Sequence, residues 1–345
     1  MSDFKTLTIA ETAENLKKWA ENGLSMLIIS HRSPDGDTLG SAFAMKLIYE
    51  AMGGKAQCTC KSEGAQFLRF IYAGQDEITY TEGLEKEFDK VISIDVASVY
   101  QLGGIIADTD IIDMQIDHHE LGEKYADNLI DGERSAAGEL VYEIYEYLQK
   151  NGVIGEIPEA AMRMYAALSA DTGSFKFSNT SGRTHEIAGK LVCEMKKAGI
   201  EHAQVGRILH DSFSLETLKA RKMAIENLKT RQNGKLAYVV ITNKCLEENG
   251  LTEESTGAIV DIPRSLETSL VGFALKQQSE NEGEFRIQSR SNCDIDVAEI
   301  CAKFGGGGHR KAAGGRVRAN SADEAEKIVA DVFEQYVKAY TEENK

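Results

Sequence analysis

Residues 24–41 read LSMLIISHRSPDGDTLGS, and this stretch decides the fold of the first part of the chain. Met26 to Ile29 form a short apolar run that is typical of a buried strand. Pro34 and Gly36 then predict a loop, and from Thr38 onward apolar residues recur at helical spacing. The stretch therefore predicts a strand, a loop and a helix in direct succession.

The loop carries three side chains that bind cations: His31, Asp35 and Asp37. Carboxylate oxygens and imidazole nitrogens suit a hard or borderline divalent cation, and Gly36 lets a ligand approach the backbone. The alternative interpretation is a polar turn in which Asp37 or Thr38 caps the helix. The histidine four residues before Asp35 favours the metal site.

Two further strand patterns end in residues of the same kind. Residues 91–95 end at Asp95, and residues 111–116 run into the triplet Asp117-His118-His119. Strands that alternate with helices predict a parallel α/β sheet, whose strands all have their carboxyl ends at one edge. We therefore expect these residues to lie beside His31.

A further carboxylate, Asp171, ends the helical pattern that begins at Pro158. The candidate ligands are then four carboxylates and two imidazoles: His31, Asp35, Asp37, Asp95, His118 and Asp171. An isolated His-His pair is more often a pair of surface histidines, but the complete set favours two divalent ions about 3.5–4 Å apart, an arrangement used for phosphoryl hydrolysis. The set contains no cysteine, which favours Mn or Mg over a structural Zn site.

The chain is long enough for two domains that each bury a core. We predict a parallel-sheet α/β domain over residues 1–192, an all-helical connector over 193–230, and a smaller mixed α/β domain over 231–345. The last of these rests on strand patterns at 236–241, 269–275 and 285–289 and on a closing helix over 322–340.

A glycine-rich run lies inside the third region, at residues 305–315. Successive glycines let backbone N–H groups converge on an anion, and we expect a helix to begin near His309 with its positive end towards that anion. Between residues 285 and 318, seven basic residues stand against three acidic ones, which gives 7 − 3 = +4. The alternative is a flexible loop with solvated charges.

Composition restricts the partners and the location. The formal net charge is −16, so phosphates of long duplex nucleic acid would be repelled by most of the surface. The six cysteines contain no CxxC pair, which predicts reduced thiols in a cytoplasmic protein. We see no export signal and no apolar run that approaches 18 residues, and we expect no contact with membranes.

These motifs together resemble the DHH phosphoesterase family with its DHH-associated C-terminal domain. The resemblance covers almost the whole chain, in order: the His31 to Asp37 loop, Asp95, the Asp117-His118-His119 triplet, Asp171-Thr172-Gly173 and the run from Gly305 to His309. It identifies residues 1–192 as the catalytic domain and residues 231–345 as the substrate-binding domain.

The resemblance implies a role for each matched residue. One metal would be held by His31, Asp35 and Asp95, and the other by Asp37, Asp95, His118 and Asp171, so that Asp95 bridges. His119 would face the scissile phosphate, and Asp117 would orient the neighbouring imidazoles. The terminal nucleotide would be held by Arg290, Gly306, Gly307, Gly308 and His309. Many relatives have a Ser-Ser or Ser-Thr pair where this chain has Arg134-Ser135-Ala136-Ala137-Gly138, so the role of that segment stays open.

The length and two-domain layout are most similar to the family branch that degrades very short oligoribonucleotides. That likeness implies a Mn-dependent hydrolase that releases nucleoside monophosphates and converts 3′-phosphoadenosine-5′-phosphate to AMP. A phosphodiesterase for linear or cyclic dinucleotides, and a nucleotide-binding protein without catalysis, are the alternatives. Mg remains the alternative metal. The sequence leaves the oligomeric state open, with a homodimer as the candidate assembly.

Overall fold

The structure is a computed structural model that describes all residues except 1–3, 63–64, 74–87, 107–108, 120–121, 258, 279–280, 282 and 345. It divides into two compact units, residues 1–212 and 213–345. The predicted connector at 193–230 is therefore shared between the two units. The boundary between them falls after Ser212.

The first unit is built around a five-stranded sheet in the order β2-β1-β3-β4-β5, and every neighbouring pair is parallel. The strands are β1 (Ser25–Ile29), β2 (Lys55–Thr59), β3 (Lys90–Ile94), β4 (Met114–Asp117) and β5 (Asn128–Ile130). The helices are α1 (Ile9–Glu21), α2 (Gly36–Ala51), α3 (Arg69–Tyr72), α4 (Ala137–Lys150), α5 (Pro158–Asp171), α6 (Gly182–Lys197) and α7 (His202–Gly206). The predicted parallel α/β architecture is confirmed.

Alternation along β1 explains why this strand lies inside the sheet. Met26 and Ile28 belong to one apolar cluster, with helices including α2, α4 and α5, whereas Leu27 and Ile29 belong to a second cluster on the other face. A strand buried on both faces needs apolar residues on both, and β1 has them from Met26 to Ile29. The predicted strand at 111–116 begins later, at Met114, because residues 109–111 form a turn of 3₁₀-helix.

The second unit contains a six-stranded mixed sheet in the order β10-β11-β9-β8-β7-β6. Its strands are β6 (Lys229–Arg231), β7 (Leu236–Ile241), β8 (Val271–Gln277), β9 (Glu284–Ser291), β10 (Gly307–His309) and β11 (Ala312–Arg318). Its helices are α8 (Leu215–Glu226), α9 (Asn243–Glu248), α10 (Asp261–Arg264), α11 (Val297–Ala302) and α12 (Ala322–Glu343). Only β7 and β8 pair in parallel; the other described neighbours are antiparallel.

The two faces of this sheet differ at β9. Phe285 and Ile287 are buried in an apolar cluster with residues of α11 and α12, whereas Arg286 is exposed on the opposite face. On that opposite face, α8 and α9 cover the β7 and β8 side through a separate cluster that includes Val239 and Ala274. The β9 side of that face therefore carries polar side chains.

The glycine-rich run does not begin a helix, so the predicted helix start near His309 is wrong. Gly307 to His309 form β10, which pairs antiparallel with β11. Gly306 and Gly308 allow this close pairing: a Cβ at 306 would lie 1.9 Å from the Gly314 carbonyl oxygen, and Gly308 has a φ of +142°. In the described part of the chain, no helix has the length and apolar content that crossing a membrane requires.

Candidate metal centre and anion site

The loop between β1 and α2 brings His31 and Asp35 together. The His31 Nε2 lies 3.6 Å from Asp35 Oδ2, while Asp35 Oδ1 accepts hydrogen bonds from the backbone N–H groups of Asp37 (3.0 Å) and Thr38 (3.1 Å). Asp35 is thus the N-cap of α2. The alternative prediction, that Asp37 or Thr38 caps the helix, is wrong. One carboxylate both caps the helix and turns its second oxygen towards the histidine.

Gly36 has a packing role in addition to the one expected from the sequence. A Cβ at this position would lie 2.6 Å from the Cβ of Ala170 on α5. The beginning of α2 therefore contacts the end of α5 directly. This contact places Asp37, in the first turn of α2, near Asp171, the last residue of α5.

Asp37 is completely buried, and its carboxylate is held by the beginning of α4. Oδ2 accepts from the Ala137 N–H (2.7 Å), and Oδ1 accepts from the Gly138 N–H (3.0 Å) and from the Ser41 hydroxyl (2.8 Å). The first N–H groups of a helix have no partner inside it and attract negative charge. Residues 134–138, whose role the sequence left open, thus include the backbone groups that hold Asp37, a candidate metal ligand.

Asp95 occupies the centre of the cluster. Its backbone has a φ of +59°, the left-handed region, which costs a non-glycine residue about 1–3 kcal/mol. Oδ2 lies 3.6 Å from His31 Nε2, whereas Oδ1 lies 3.5 Å from His118 Nε2. The two oxygens of one buried carboxylate therefore face two different groups of donors.

His118 directs its Nε2 at three carboxylates. The distances are 3.3 Å to Asp171 Oδ2, 3.5 Å to Asp95 Oδ1 and 3.7 Å to Asp37 Oδ2. The other ring nitrogen, Nδ1, lies 3.2 Å from the carbonyl oxygen of Arg134. A carbonyl at the far side of the ring fixes which nitrogen faces the cluster. Asp117 does not contact this ring nitrogen, which differs from the sequence expectation.

Asp117 does contact the other histidine of the pair. Its Oδ1 lies 2.8 Å from His119 Nδ1 and also accepts the backbone N–H groups of His118 (2.8 Å) and His119 (3.3 Å). The His119 side chain is about one quarter exposed, at 25%, while Asp117 is fully buried. The carboxylate thus fixes both the turn and the His119 ring.

Three groups of side chains in the described residues have ligand atoms within 4.8 Å of one another: Asp95, His118 and His119; His31, Asp35 and Asp95; Asp37, His118 and Asp171. The last two groups correspond to the two predicted ligand sets, apart from the bridging Asp95 in the second. The structure therefore brings all six predicted ligands together around Asp95.

The charges of this cluster fit divalent cations. Burial raises the pKa of Asp37, and burial together with neighbouring aspartates raises the pKa values of Asp95 and Asp171 well above their ordinary range. The buried Oδ1 of Asp95 also has no hydrogen-bond partner among the described residues. Buried like charges and an unpartnered oxygen are unfavourable unless a cation compensates them. Oxygen and imidazole donors suit Mn, Mg or Zn.

Two groups of the cluster favour their charged forms. For Asp35, desolvation raises the pKa, but the hydrogen bond and charge of His31 and two backbone N–H groups outweigh it and lower the pKa. For His118, burial lowers the pKa, but the carboxylates of Asp37 and Asp171 outweigh burial and raise it. These shifts again show how strongly negative the surroundings are.

The predicted anion-binding residues of the second unit lie in one row across its sheet. In the strand register, Ala312 of β11 stands opposite Arg290 of β9 and opposite His309 of β10. Residues directly opposite one another project from the same face, so Arg290 and His309 flank a small alanine. Burial lowers the pKa of Arg290, and Asp261 opposes this effect. The row offers an imidazole and a guanidinium to one ligand.

The backbone of the glycine run contributes less than the sequence suggested. The N–H groups of Gly305 and Gly306 donate to the carbonyls of Ala302 (3.1 Å) and Cys301 (3.0 Å), so the end of α11 already uses them. Two basic side chains nearby also form ion pairs with Glu284. Arg316 lies 2.7 Å and Arg318 lies 3.5 Å from its carboxylate oxygens. Of the predicted anion-binding residues, Arg290 and His309 then offer the polar side chains, and the Arg290 Nη1 also donates to the Ser289 carbonyl (3.0 Å).

Sequence reasoning missed the backbone groups that hold the ligands. The Arg134 carbonyl and the N–H groups of Ala137 and Gly138 have no side-chain signature. The one available signal was the small-residue run at 136–138: α4 begins after Ala136, without a side-chain cap. A helix that begins in this way has N–H groups to offer to a distant carboxylate.

Comparison with protein families identifies both units. Residues 25–168 match the DHH family, N-terminal domain, and residues 233–338 match the DHHA1 domain. The first range contains five of the six candidate ligands; Asp171 lies three residues beyond it. The second range contains Arg290 and the glycine-rich run.

Individual relatives agree with these matches. The chain is 28% identical over 294 residues to a Streptococcus mutans protein named probable bifunctional oligoribonuclease and PAP phosphatase NrnA, covering 84% of this chain and 88% of the relative. It is 24% identical over 320 residues to the Thermus thermophilus bifunctional oligoribonuclease and PAP phosphatase NrnA, covering 90% of each. A crystal structure of an exopolyphosphatase-related protein from Bacteroides fragilis superposes with a TM-score of 0.80 at 21% identity, covering 95% of this chain and 96% of that one. At that identity the likeness concerns the fold.

Proposed function

This chain belongs to the DHH phosphoesterase family, and from that premise we propose that it hydrolyses short oligoribonucleotides to nucleoside monophosphates and 3′-phosphoadenosine-5′-phosphate to AMP. Relatives that align over most of their length carry both activities in their names. The observation that carries the proposal is the position of Asp95, whose two carboxylate oxygens face two separate donor groups.

We assign two divalent cations, Mn by preference, to these donors. His31, Asp35 and Asp95 would hold one cation, and Asp37, Asp95, His118 and Asp171 would hold the other. When bound, such a pair lowers the pKa of a coordinated water and neutralises charge that develops on a phosphate in an in-line displacement. The protein contributes preorganisation. The first N–H groups of α2 hold the carboxylate of Asp35, and those of α4 hold the carboxylate of Asp37, before any cation arrives.

We assign His119 to the scissile phosphate. Asp117 accepts a hydrogen bond at Nδ1 and orients the ring, which leaves Nε2 as the nitrogen directed to substrate. A ring held in this way would present Nε2 to a phosphate oxygen that gains charge in the transition state. The ring position is preorganised because Asp117 is itself fixed by two backbone N–H groups.

We assign the terminal nucleotide to Arg290, His309 and the adjoining Gly306, Gly307 and Gly308. Gly306 and Gly308 allow the close approach of β10 to β11. A guanidinium and an imidazole on one sheet face bind phosphate oxygens, and the intervening Ala312 leaves space for them. We place this activity in the cytoplasm, in keeping with six free cysteines.

A product-resolved digestion tests the proposal. End-labelled RNAs of two to five nucleotides, 3′-phosphoadenosine-5′-phosphate and cyclic dinucleotides are incubated with the purified protein in Mn, in Mg and in EDTA. We expect nucleoside monophosphates from the RNAs and AMP from the bisphosphate, with Mn giving the highest rate and EDTA none.

Two results would contradict the proposal in different ways. Preferred cleavage of cyclic or linear dinucleotides, with little activity on trinucleotides and longer RNAs, would make the chain a dinucleotide phosphodiesterase. Tight nucleotide binding without any product in either metal would make it a binding protein.

A further inference from the structure

An exposed tyrosine lies in the segment that follows Asp95, and an arginine lies over its ring. Tyr100 follows β3 in a short 3₁₀-helix (Val99–Leu102) and is 76% exposed, the highest value among the large apolar or aromatic side chains in the described part of the chain. The guanidinium carbon of Arg32 lies 4.9 Å from the centroid of the Tyr100 ring. Neither residue contributes to the apolar clusters of its unit.

The topology places this pair at the same sheet edge as the cation ligands. Arg32 directly follows His31, in the loop after β1, and Tyr100 lies five residues after Asp95, in the loop after β3. β1 and β3 are parallel neighbours in the sheet, so both loops leave its carboxyl edge. The aromatic ring and the guanidinium are therefore carried by the two loops that also carry His31 and Asp95.

Backbone hydrogen bonds fix the two loops to each other. The N–H of Arg32 donates to the carbonyl of Gln101 (2.7 Å), and the carbonyl of Arg32 accepts from the hydroxyl of Ser62. Gly103, with a φ of +69°, permits this contact, because a Cβ there would lie 2.9 Å from the Arg32 Cβ and 2.8 Å from the Lys61 Cβ. The Tyr100 segment is thus attached to the same loop that positions His31.

A ring with a cation beside it suits a nucleotide. Base–aromatic stacking tolerates any base, because every base has a π-face, and a guanidinium adds both stacking and attraction for phosphate. With 76% of the side chain exposed and no core cluster against it, the Tyr100 ring is open to a ligand.

We propose that Tyr100 and Arg32 form a stacking platform for a nucleobase of the oligonucleotide other than that of the terminal nucleotide. This inference rests on the proposed function and deepens it, because it assigns a second nucleoside-binding position. 3′-Phosphoadenosine-5′-phosphate has a single nucleoside, which the Arg290 and His309 row would hold, so it uses the platform less than a dinucleotide does.

The first test compares two substrates. For Tyr100→Ala, we expect the KM for a dinucleotide to rise about fivefold to tenfold with kcat within twofold, from the lower end of measured base–aromatic stacking. The ratio of kcat/KM for the dinucleotide to kcat/KM for the bisphosphate should fall by the same factor. Tyr100→Phe keeps the ring and should restore the KM.

The second test reads binding without turnover. Trp19 is the only tryptophan of the chain, so Tyr100→Trp adds one reporter at the platform. We expect its fluorescence to be quenched by a dinucleotide whose bridging oxygen is replaced by methylene, and to be unchanged by the analogue that lacks the second base. Ile328→Trp is the control, because Ile328 is on α12, a helix that packs on the sheet face opposite Arg290 and His309.

The outcomes separate this inference from the proposed function. A dinucleotide KM within twofold of wild type for Tyr100→Ala, or an unquenched Tyr100→Trp, would overturn the platform even in a fully active enzyme. Quenching that requires the second base, in a protein that hydrolyses neither substrate, would support the platform and overturn the proposed hydrolysis.

Discussion

Replacing Asp95 by asparagine separates the charge of this side chain from its shape. Asparagine has nearly the same volume and tolerates the left-handed backbone that position 95 requires, where φ is +59°. Alanine would add backbone strain and confuse the result. The substitution therefore removes one negative charge from the centre of the cluster and changes little else.

The structure predicts effects of opposite sign on catalysis and stability. Under the proposed assignment both cations would share the Asp95 carboxylate, so losing about 4 kcal/mol of charge stabilisation should lower kcat about a thousandfold. Without metal, burial and the charges of Asp37, Asp35 and Asp117 raise the pKa of Asp95 well above its ordinary value, so the ionised form destabilises the folded state at neutral pH. Removing that charge should raise Tm in EDTA by about 2–4 °C per kcal/mol relieved.

Three measurements check this prediction: kcat on a trinucleotide in Mn, the stoichiometry of Mn binding by calorimetry, and Tm in EDTA and in Mn. Wild type should gain more stability from Mn than Asp95→Asn does, because binding stabilises in proportion to RT ln(1 + [L]/Kd). Asp113→Asn is the control, since Asp113 pairs with Lys90 (2.7 Å) just before β4 and should affect only stability. Retention of more than a tenth of wild-type kcat, or unchanged binding of two Mn ions, would refute the bridging role.

Three other predictions concern the second unit and the substrate. Arg290→Ala and His309→Ala should raise the KM for oligonucleotides more than they lower kcat, because groups that hold the substrate act equally in the ground and transition states; a several-hundredfold loss of kcat at unchanged KM would contradict this. Burial lowers the pKa of Lys276 to about 8, so the folded protein carries a costly buried charge below pH 8, and wild-type stability rises as the pH increases from about 8 towards 10.5. Lys276→Met should therefore stabilise the protein by about 1–3 kcal/mol at pH 7, as measured by urea unfolding, and by less at pH 10. Finally, kcat/KM should fall for RNA longer than about five nucleotides, because a chain of net charge −16 repels additional phosphates. Rates for RNAs of two to twenty-four nucleotides at fixed ionic strength measure this effect. A 24-mer cleaved as efficiently as a trimer would contradict the prediction.

The meeting of the six candidate ligands was predictable because it follows from topology. Strand patterns that end at Asp95 and before Asp117 need only be parallel neighbours for their loops to meet, and β3 and β4 are such neighbours. The sequence does not reveal which neighbouring atoms fix each metal-ligating side chain. Ala137 and Gly138 donate to Asp37 from 100 and 101 residues away, through backbone atoms that every residue has.

The glycine-rich run shows a different limit of sequence reasoning. Glycine is compatible with a phosphate-binding turn and with a tight strand pair, because it lacks the Cβ that would exclude either. The choice here is made by β11, whose Gly314 carbonyl approaches Gly306 more closely than any Cβ would permit. Such a cross-strand contact forms only in the folded unit, so a local pattern could not decide it.

The arrangement around Asp37 explains how a strongly acidic site can form before a cation arrives. The beginning of α4 gives two N–H donors to this buried carboxylate, Ser41 gives a third hydrogen bond, and the imidazole of His118 lies at 3.7 Å. These partners offset part of the desolvation of Asp37, but they leave Oδ1 of Asp95 without a hydrogen bond among the described residues. Unfavourable charge therefore remains on Asp95, the carboxylate whose oxygens face both donor groups. A cation at either group would relieve it, and the free energy released would contribute to the affinity for metal.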